Sequence, residues 1–142
     1  MKKILSSLSI AFIVVYIFNA CTKVESLPFY EKGNAITLSA SKTSVTATPA
    51  DSLTAVIAFS WTNPKYASDS NTYKYIVEID STGRNFVKSV SKTIIGKLTT
   101  TFTGKELNAI LLNYGFSLGV AYNIDVRVTS SYGNNNERYT SN

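Results

Sequence analysis

With 142 residues, no histidine and one cysteine, the chain has room for one domain and excludes Ser-His-Asp and Cys-His nucleophiles together with His- or Cys-based metal sites. Its 14 basic residues against 9 acidic ones leave a net charge of +5. Loss of Lys2 and Lys3 with a leader would leave 12 basic against 9 acidic, or +3, too mild, without an arginine cluster, for a nucleic-acid binder. A domain of this size buries roughly two thirds of its unfolded surface, enough for one core without disulfides.

Lys2 and Lys3 precede an apolar run from Ile4 to Phe18, interrupted by serines, and Ala20-Cys21 closes it. This is a secretory leader, shorter than the ~20 residues a spanning helix needs. A lone cysteine in an exported chain makes no internal disulfide; it is inert, pairs between molecules, or is modified, and its position favours modification. Ala20-Cys21 resembles the cleavage point of bacterial lipoproteins, which implies that Cys21 takes a diacylglycerol and becomes the new N-terminus. Phe18 and Asn19 depart from the usual pattern there. The boundaries expected are 1–20 for the signal, 21–35 for a lipid-anchored tether carrying Pro28 and Gly33, and 36–142 for the domain. Lys23 and Glu25 only partly match the acidic tag of surface-exported lipoproteins, so the side of the membrane stays open.

From Ile36 onward apolar residues alternate with a period of two. Ile36–Leu38 and Val45–Ala47 read as short first strands, broken at Lys42 and Pro49. Leu53–Trp61 is the most apolar strand, with Ala55, Ile57, Phe59 and Trp61 on one face. A polar loop, Lys65 to Asn71, leads to Tyr73–Asp80, where Tyr73, Tyr75, Val77 and Ile79 face inward and Lys74, Glu78 and Asp80 face water. Ser81 to Asn85 is turn chemistry, Phe86–Ser91 returns as a strand, and Lys92–Ile95 and Leu98–Phe102 continue around Gly96. Thr103 to Glu106 has capping-box spacing, and Leu107, Ile110, Leu111 and Tyr114 follow at helical spacing until Gly115. Tyr122, Ile124, Val126 and Val128 then alternate as a second central strand. After the loop at Gly133–Asn136, only Glu137–Asn142 is left for a last strand, so the domain is expected to be stunted or truncated there.

The fold class expected is all-β, a sandwich with one short inserted helix. Ser60-Trp61-Thr62-Asn63-Pro64 and Leu118 to Val128 resemble two fingerprints of a fibronectin type III or related immunoglobulin-like sandwich. The resemblance makes Trp61 a core tryptophan and Tyr122 a core corner tyrosine whose hydroxyl bonds back to the preceding loop. Together with the leader, Tyr75 to Ile79, Gly83 to Phe86 and the helix around Glu106-Leu107-Asn108, the chain resembles the N-terminal domain of the SusE family. That resemblance implies an outer-membrane lipoprotein of polysaccharide (starch-like) uptake, beside a SusC-like transporter and a SusD-like protein. In the family the first domain is a spacer and later modules, absent here, take the glycan. The alternative is a generic fibronectin III-like interaction or adhesin module.

Glu78 and Asp80, two apart on one strand, lie at roughly 7 Å, within the range of a glycosidase pair. The plainer reading is a solvated face, with Glu78 paired to Lys74 or across to Arg127. Asp69-Ser70-Asn71 is a weak calcium-loop match. No catalytic residue, metal or cofactor is expected. Only Tyr66, Tyr114, Tyr132 and Tyr139 are expected to be exposed, on separate loops, and Tyr132 and Tyr139, with Asn135 between them, form the best candidate sugar platform.

Overall fold

A computed structural model describes residues 32–133 and 135–141; Cys21, the signal and most of the tether fall outside the described residues. Among the described residues seven strands form two antiparallel sheets. One holds β1 (Leu38–Ala40), β2 (Ala55–Trp61) and β5 (Thr99–Thr103), in the order β1-β2-β5. The other holds β3 (Lys74–Ser81), β4 (Val90–Ile95), β6 (Ile124–Ser131) and β7 (Tyr139–Thr140), in the order β4-β3-β6-β7. One helix, α1 (Gly104–Asn113), follows β5. The expected all-β sandwich with an inserted helix is therefore the observed architecture.

The core lies between the sheets. Phe59 and Trp61 of β2, Phe102 of β5, Tyr75, Val77 and Ile79 of β3 and Val128 of β6 are all buried in one cluster. The Trp61 and Tyr75 rings meet across it at 5.4 Å, and Phe59 meets Phe102 edge-on at 5.9 Å. Alternation in β2 breaks at one place. Ala55 pairs with Thr103 and Ile57 with Phe102, so Val56 is an extra residue, and both Val56 and Ile57 are buried while Ala55 is exposed. A bulge of this kind turns two successive side chains toward the same side.

The chain changes sheets between β4 and β5. Gly96 makes that corner at φ +65, and a Cβ there would stand 2.5 Å from the Asn71 carbonyl oxygen. Any other residue would meet both obstacles. At the end of β5 the expected capping box forms: Thr103 Oγ1 accepts the Glu106 amide at 3.2 Å and Glu106 Oε2 accepts the Thr103 amide at 2.8 Å. The helix ends at Gly115, with the Phe116 amide reaching back to the Leu111 carbonyl at 3.2 Å, the bond of a Schellman motif.

Several expectations are corrected. Strand β1 begins at Leu38 and no strand forms at Val45–Ala47, although Val45 and Ala47 still pack on the core. The segment from Phe86 to Ser89 is not strand: Asn85 and Phe86 have φ of 54 and 60, and β4 starts only at Val90. The cause is Asp80. It is fully buried instead of facing water, and its carboxylate accepts the amides of Ser81 at 2.8 Å and Lys88 at 3.2 Å, gathering the loop around it. Strand β7 pairs Thr140 with Thr129 and Tyr139 with Ser130.

Candidate functional site

The expected sugar platform sits where the β6–β7 hairpin meets the loop before β3. Its tyrosines are turned inward. Tyr66, expected in the exposed polar loop, is fully buried, stacked on Tyr73 at 4.3 Å on one side and on Tyr139 at 5.1 Å on the other. Tyr132 closes the group at 6.3 Å from both Tyr66 and Tyr73. The Tyr73 hydroxyl donates to the Ala67 carbonyl at 2.8 Å, and Tyr66 shares a 3.3 Å bond with the Ser130 hydroxyl. Burial pushes both phenols above the usual tyrosine value.

Tyr139 is covered from outside as well. Its hydroxyl accepts the Gly33 amide at 2.8 Å, and a Cβ at Gly33 would stand 2.6 Å from its ring. Asn135 is exposed at φ 66, with its side-chain oxygen accepting a hydrogen bond from Lys74 Nζ. The hairpin thus brings Tyr132, Tyr139 and Asn135 to one corner without presenting a flat aromatic pair to solvent.

The carboxylate pair is also engaged. Arg127 grips Glu78 through Nε at 2.7 Å and Nη2 at 3.1 Å while its guanidinium lies over the Phe86 ring at 4.2 Å. That fork holds the Glu78 carboxyl below its usual range and raises Arg127. Of the two partners weighed for Glu78, Lys74 and Arg127, it is Arg127 that the register sets opposite. With Asp80 buried and bound to backbone amides, the two acids cannot face a substrate together. Among the described residues no group of three or more His, Cys, Asp or Glu could hold a metal ion.

Trp61 is buried, as expected for a core residue. Tyr122 departs from its expected core position. It is 38% exposed and lies flat on Phe116 at 3.9 Å. Its hydroxyl nevertheless accepts the Ser117 amide at 3.1 Å, so the bond back to the preceding loop exists without burial of the ring. The reason is the loop itself. Gly115 and Gly119, at φ +79 and +76, keep the chain out of strand until Ile124 and leave Leu118 and Val120 exposed beside Tyr122.

Tyr114, expected to be exposed, is half-buried under the helix, hydrogen-bonded to the backbone of two strands. Tyr66 carries no local signal for burial, because it is covered by residues distant in sequence, whereas Tyr114 continues the helical spacing of the buried Leu107 and Ile110. No helix among the described residues is long and apolar enough to cross a membrane.

No curated protein and no solved structure matches the chain, so the immunoglobulin-like type of the sandwich rests on the resemblance. The family described as SusE outer membrane protein matches residues 23–129, from the tether through most of β6. The chain belongs to the SusE outer membrane protein family.

Proposed function

We propose that this sandwich is the N-terminal spacer domain of a lipid-anchored outer-membrane protein in polysaccharide uptake, tied to the membrane through Cys21. It would stand beside a SusC-like transporter and a SusD-like protein, and starch-like glycan would be taken mainly by modules outside this chain. Family membership supports the system. The observation that favours a spacer over a binder is the internal use of the tyrosines: Tyr66 is sandwiched between Tyr73 and Tyr139, and the Tyr139 hydroxyl is bonded to Gly33. Sugar faces need exposed aromatic planes with polar groups beside them. Tyr132, Tyr139 and Asn135 remain the place to seek any direct glycan contact. The engaged state of Glu78 and Asp80 argues against hydrolysis.

The anchor is tested in a bacterial host with the leader intact. Labelled palmitate should enter the protein and the protein should sediment with outer membranes, because an acyl chain contributes ~0.8 kcal/mol per buried CH₂. Cys21→Ser should lose the label and the membrane association. A Cys21→Ser chain that is processed and partitions like the original contradicts the anchor.

A further inference from the structure

Strand β4 lies at one edge of the four-stranded sheet, with β3 on one side and no strand on the other among the described residues. Just past its end the Gly96 amide bonds the Tyr73 carbonyl at 2.9 Å. Antiparallel backbone groups alternate in direction, so Lys92 and Ile94 bond toward β3 while the N–H and C=O groups of Ser91, Thr93 and Ile95 point away from it. No hydrogen bond among the described residues reaches those outward groups. Gly33 and Ser141, near the two ends of the described residues, both lie toward the opposite edge of this sheet, where they bond Tyr139 and Val128.

Exposed edges are commonly guarded by prolines, bulges or charged side chains. Strand β4 has no proline, its register against β3 runs without a shift, and its one charge, Lys92, is turned inward and half-buried. An inward lysine guards an edge when an arriving strand would have to bury it unpaired. This one already holds its partners: Nζ donates to Glu106 Oε1 and to the Thr101 carbonyl at 3.1 Å each and lies 4.7 Å from the centre of the Phe102 ring. Lys92 thus ties β4 to β5 and α1, and the exposed side chains of the edge, Ser91, Thr93 and Ile95, carry no charge.

We propose that β4 pairs with β4 of a second copy of this chain, antiparallel about a two-fold axis at Thr93, so that the two four-stranded sheets join into one. Only residues whose backbone groups point outward can bond across such an axis. Centring on Thr93 sets Thr93 against Thr93 and Ser91 against Ile95 twice, which uses every outward group of the strand. Opposed threonines are a favourable cross-strand pair, and Lys92 comes to stand opposite Ile94, where its apolar stem covers the isoleucine.

The neighbouring registers fit worse. Centring on Lys92 opposes two lysines, and like charges directly opposite are destabilising. Centring on Ile94 pairs Ser91 with Lys97, beyond the corner that the chain turns at Gly96 with φ +65. The pairing on Thr93 is self-complementary, as a two-fold interface requires.

The test uses the full chain with Cys21→Ser, so that an introduced cysteine is the only thiol. Under oxidising conditions Thr93→Cys should cross-link into a dimer, because opposed bonded residues stand ~5.5 Å apart at Cα, inside the range of a disulfide. Ser91→Cys alone should stay monomeric, its mate lying four residues away at roughly 13 Å, and a mixture of Ser91→Cys with Ile95→Cys should cross-link. At about ten times the dissociation constant about four-fifths of the chains are paired, so the amides of Ser91, Thr93 and Ile95 should exchange about fivefold more slowly than in dilute protein. Val77 should be unchanged. Thr93→Lys, an exposed substitution that opposes two lysines, should abolish that concentration dependence. Failure of Thr93→Cys to cross-link, or cross-linking of Ser91→Cys alone as readily, overturns the proposal. Protection of the three amides that is independent of protein concentration overturns it as well, since the chain would then cover the edge itself.

Discussion

The Tyr114 hydroxyl donates to the carbonyl of Ile79, and it accepts the Val90 amide at 3.1 Å. Ile79 and Val90 are register partners in the β3–β4 pair, so a phenol from the end of α1 stands where a ladder bond would form. Tyr114→Phe leaves two backbone groups without their partner, at a cost of about 1–3 kcal/mol for a buried group left unsatisfied. Urea unfolding should show that loss, and the Val90 amide should exchange faster while Lys92, opposite Val77 farther along β4, is unchanged.

Trp61 and Tyr122 separate sharply. Trp61 is buried against Tyr75, and Trp61→Ala should cost ~3–5 kcal/mol, a large share of the ~5–15 kcal/mol available to a domain. Tyr122→Ala removes one stacked ring and one hydrogen bond from an exposed loop, about 1–2 kcal/mol together. Thermal unfolding of the two variants checks the order; equal losses would mean that the loop at 115–123 packs more tightly than it does here.

What the sequence discloses about this fold divides along the range of the interactions. The capping box of Thr103 and Glu106 and the inward face of β3 follow from local spacing, since each is set within one element; spacing leaves Lys74 or Arg127 as the partner of Glu78, and the β3–β6 register selects Arg127. Tyr66 lies in a stretch of polar loop residues, and only its stacking on Tyr73 and Tyr139 buries it. Asp80 has the alternation of a wet face and is buried because the following loop folds over its carboxylate. Val56 and Ile57 share a side because of a bulge, which leaves no mark in a period-two pattern. The same non-local packing governs the candidate platform. The sequence places Tyr132, Asn135 and Tyr139 on one hairpin, but Gly33, about a hundred residues away, decides that Tyr139 is covered.

Alkaline pH should weaken the fold through Tyr75. Burial pushes its phenol up to about 12 against the opposing pull of the nearby Ser130 hydroxyl, and its hydroxyl has no well-formed hydrogen bond among the described residues. The folded state holds the proton more tightly than the unfolded chain, whose tyrosines titrate near ~10. The Tyr75 contribution is complete below that value and is lost as pH rises from it through about 12. Tyr75→Phe removes an unsatisfied buried group as well. It should raise stability at neutral pH by about 1 kcal/mol and soften the alkaline decline, both read from urea midpoints across pH.

Acid acts through Glu78. The Arg127 fork depresses its folded value, so the stability it contributes is present above the ordinary glutamate range and is lost as pH falls through the lower folded value. With Arg127 about a third exposed, solvent screening limits the pair to about 1 kcal/mol. Glu78→Gln should be less stable than the parent by that amount at neutral pH, and the gap should close as pH falls through the lowered folded value. A gap that persists in acid would assign the loss to packing and not to charge.

The spacer reading meets its most direct test in native gels containing starch and other glycans. Because Tyr66, Tyr132 and Tyr139 are packed on one another and on Gly33, the purified chain should migrate at the same rate with and without polysaccharide. Retardation by starch that Tyr132→Ala or Tyr139→Ala abolishes, in a variant that keeps its fold, would contradict the account and make this domain a glycan-binding module.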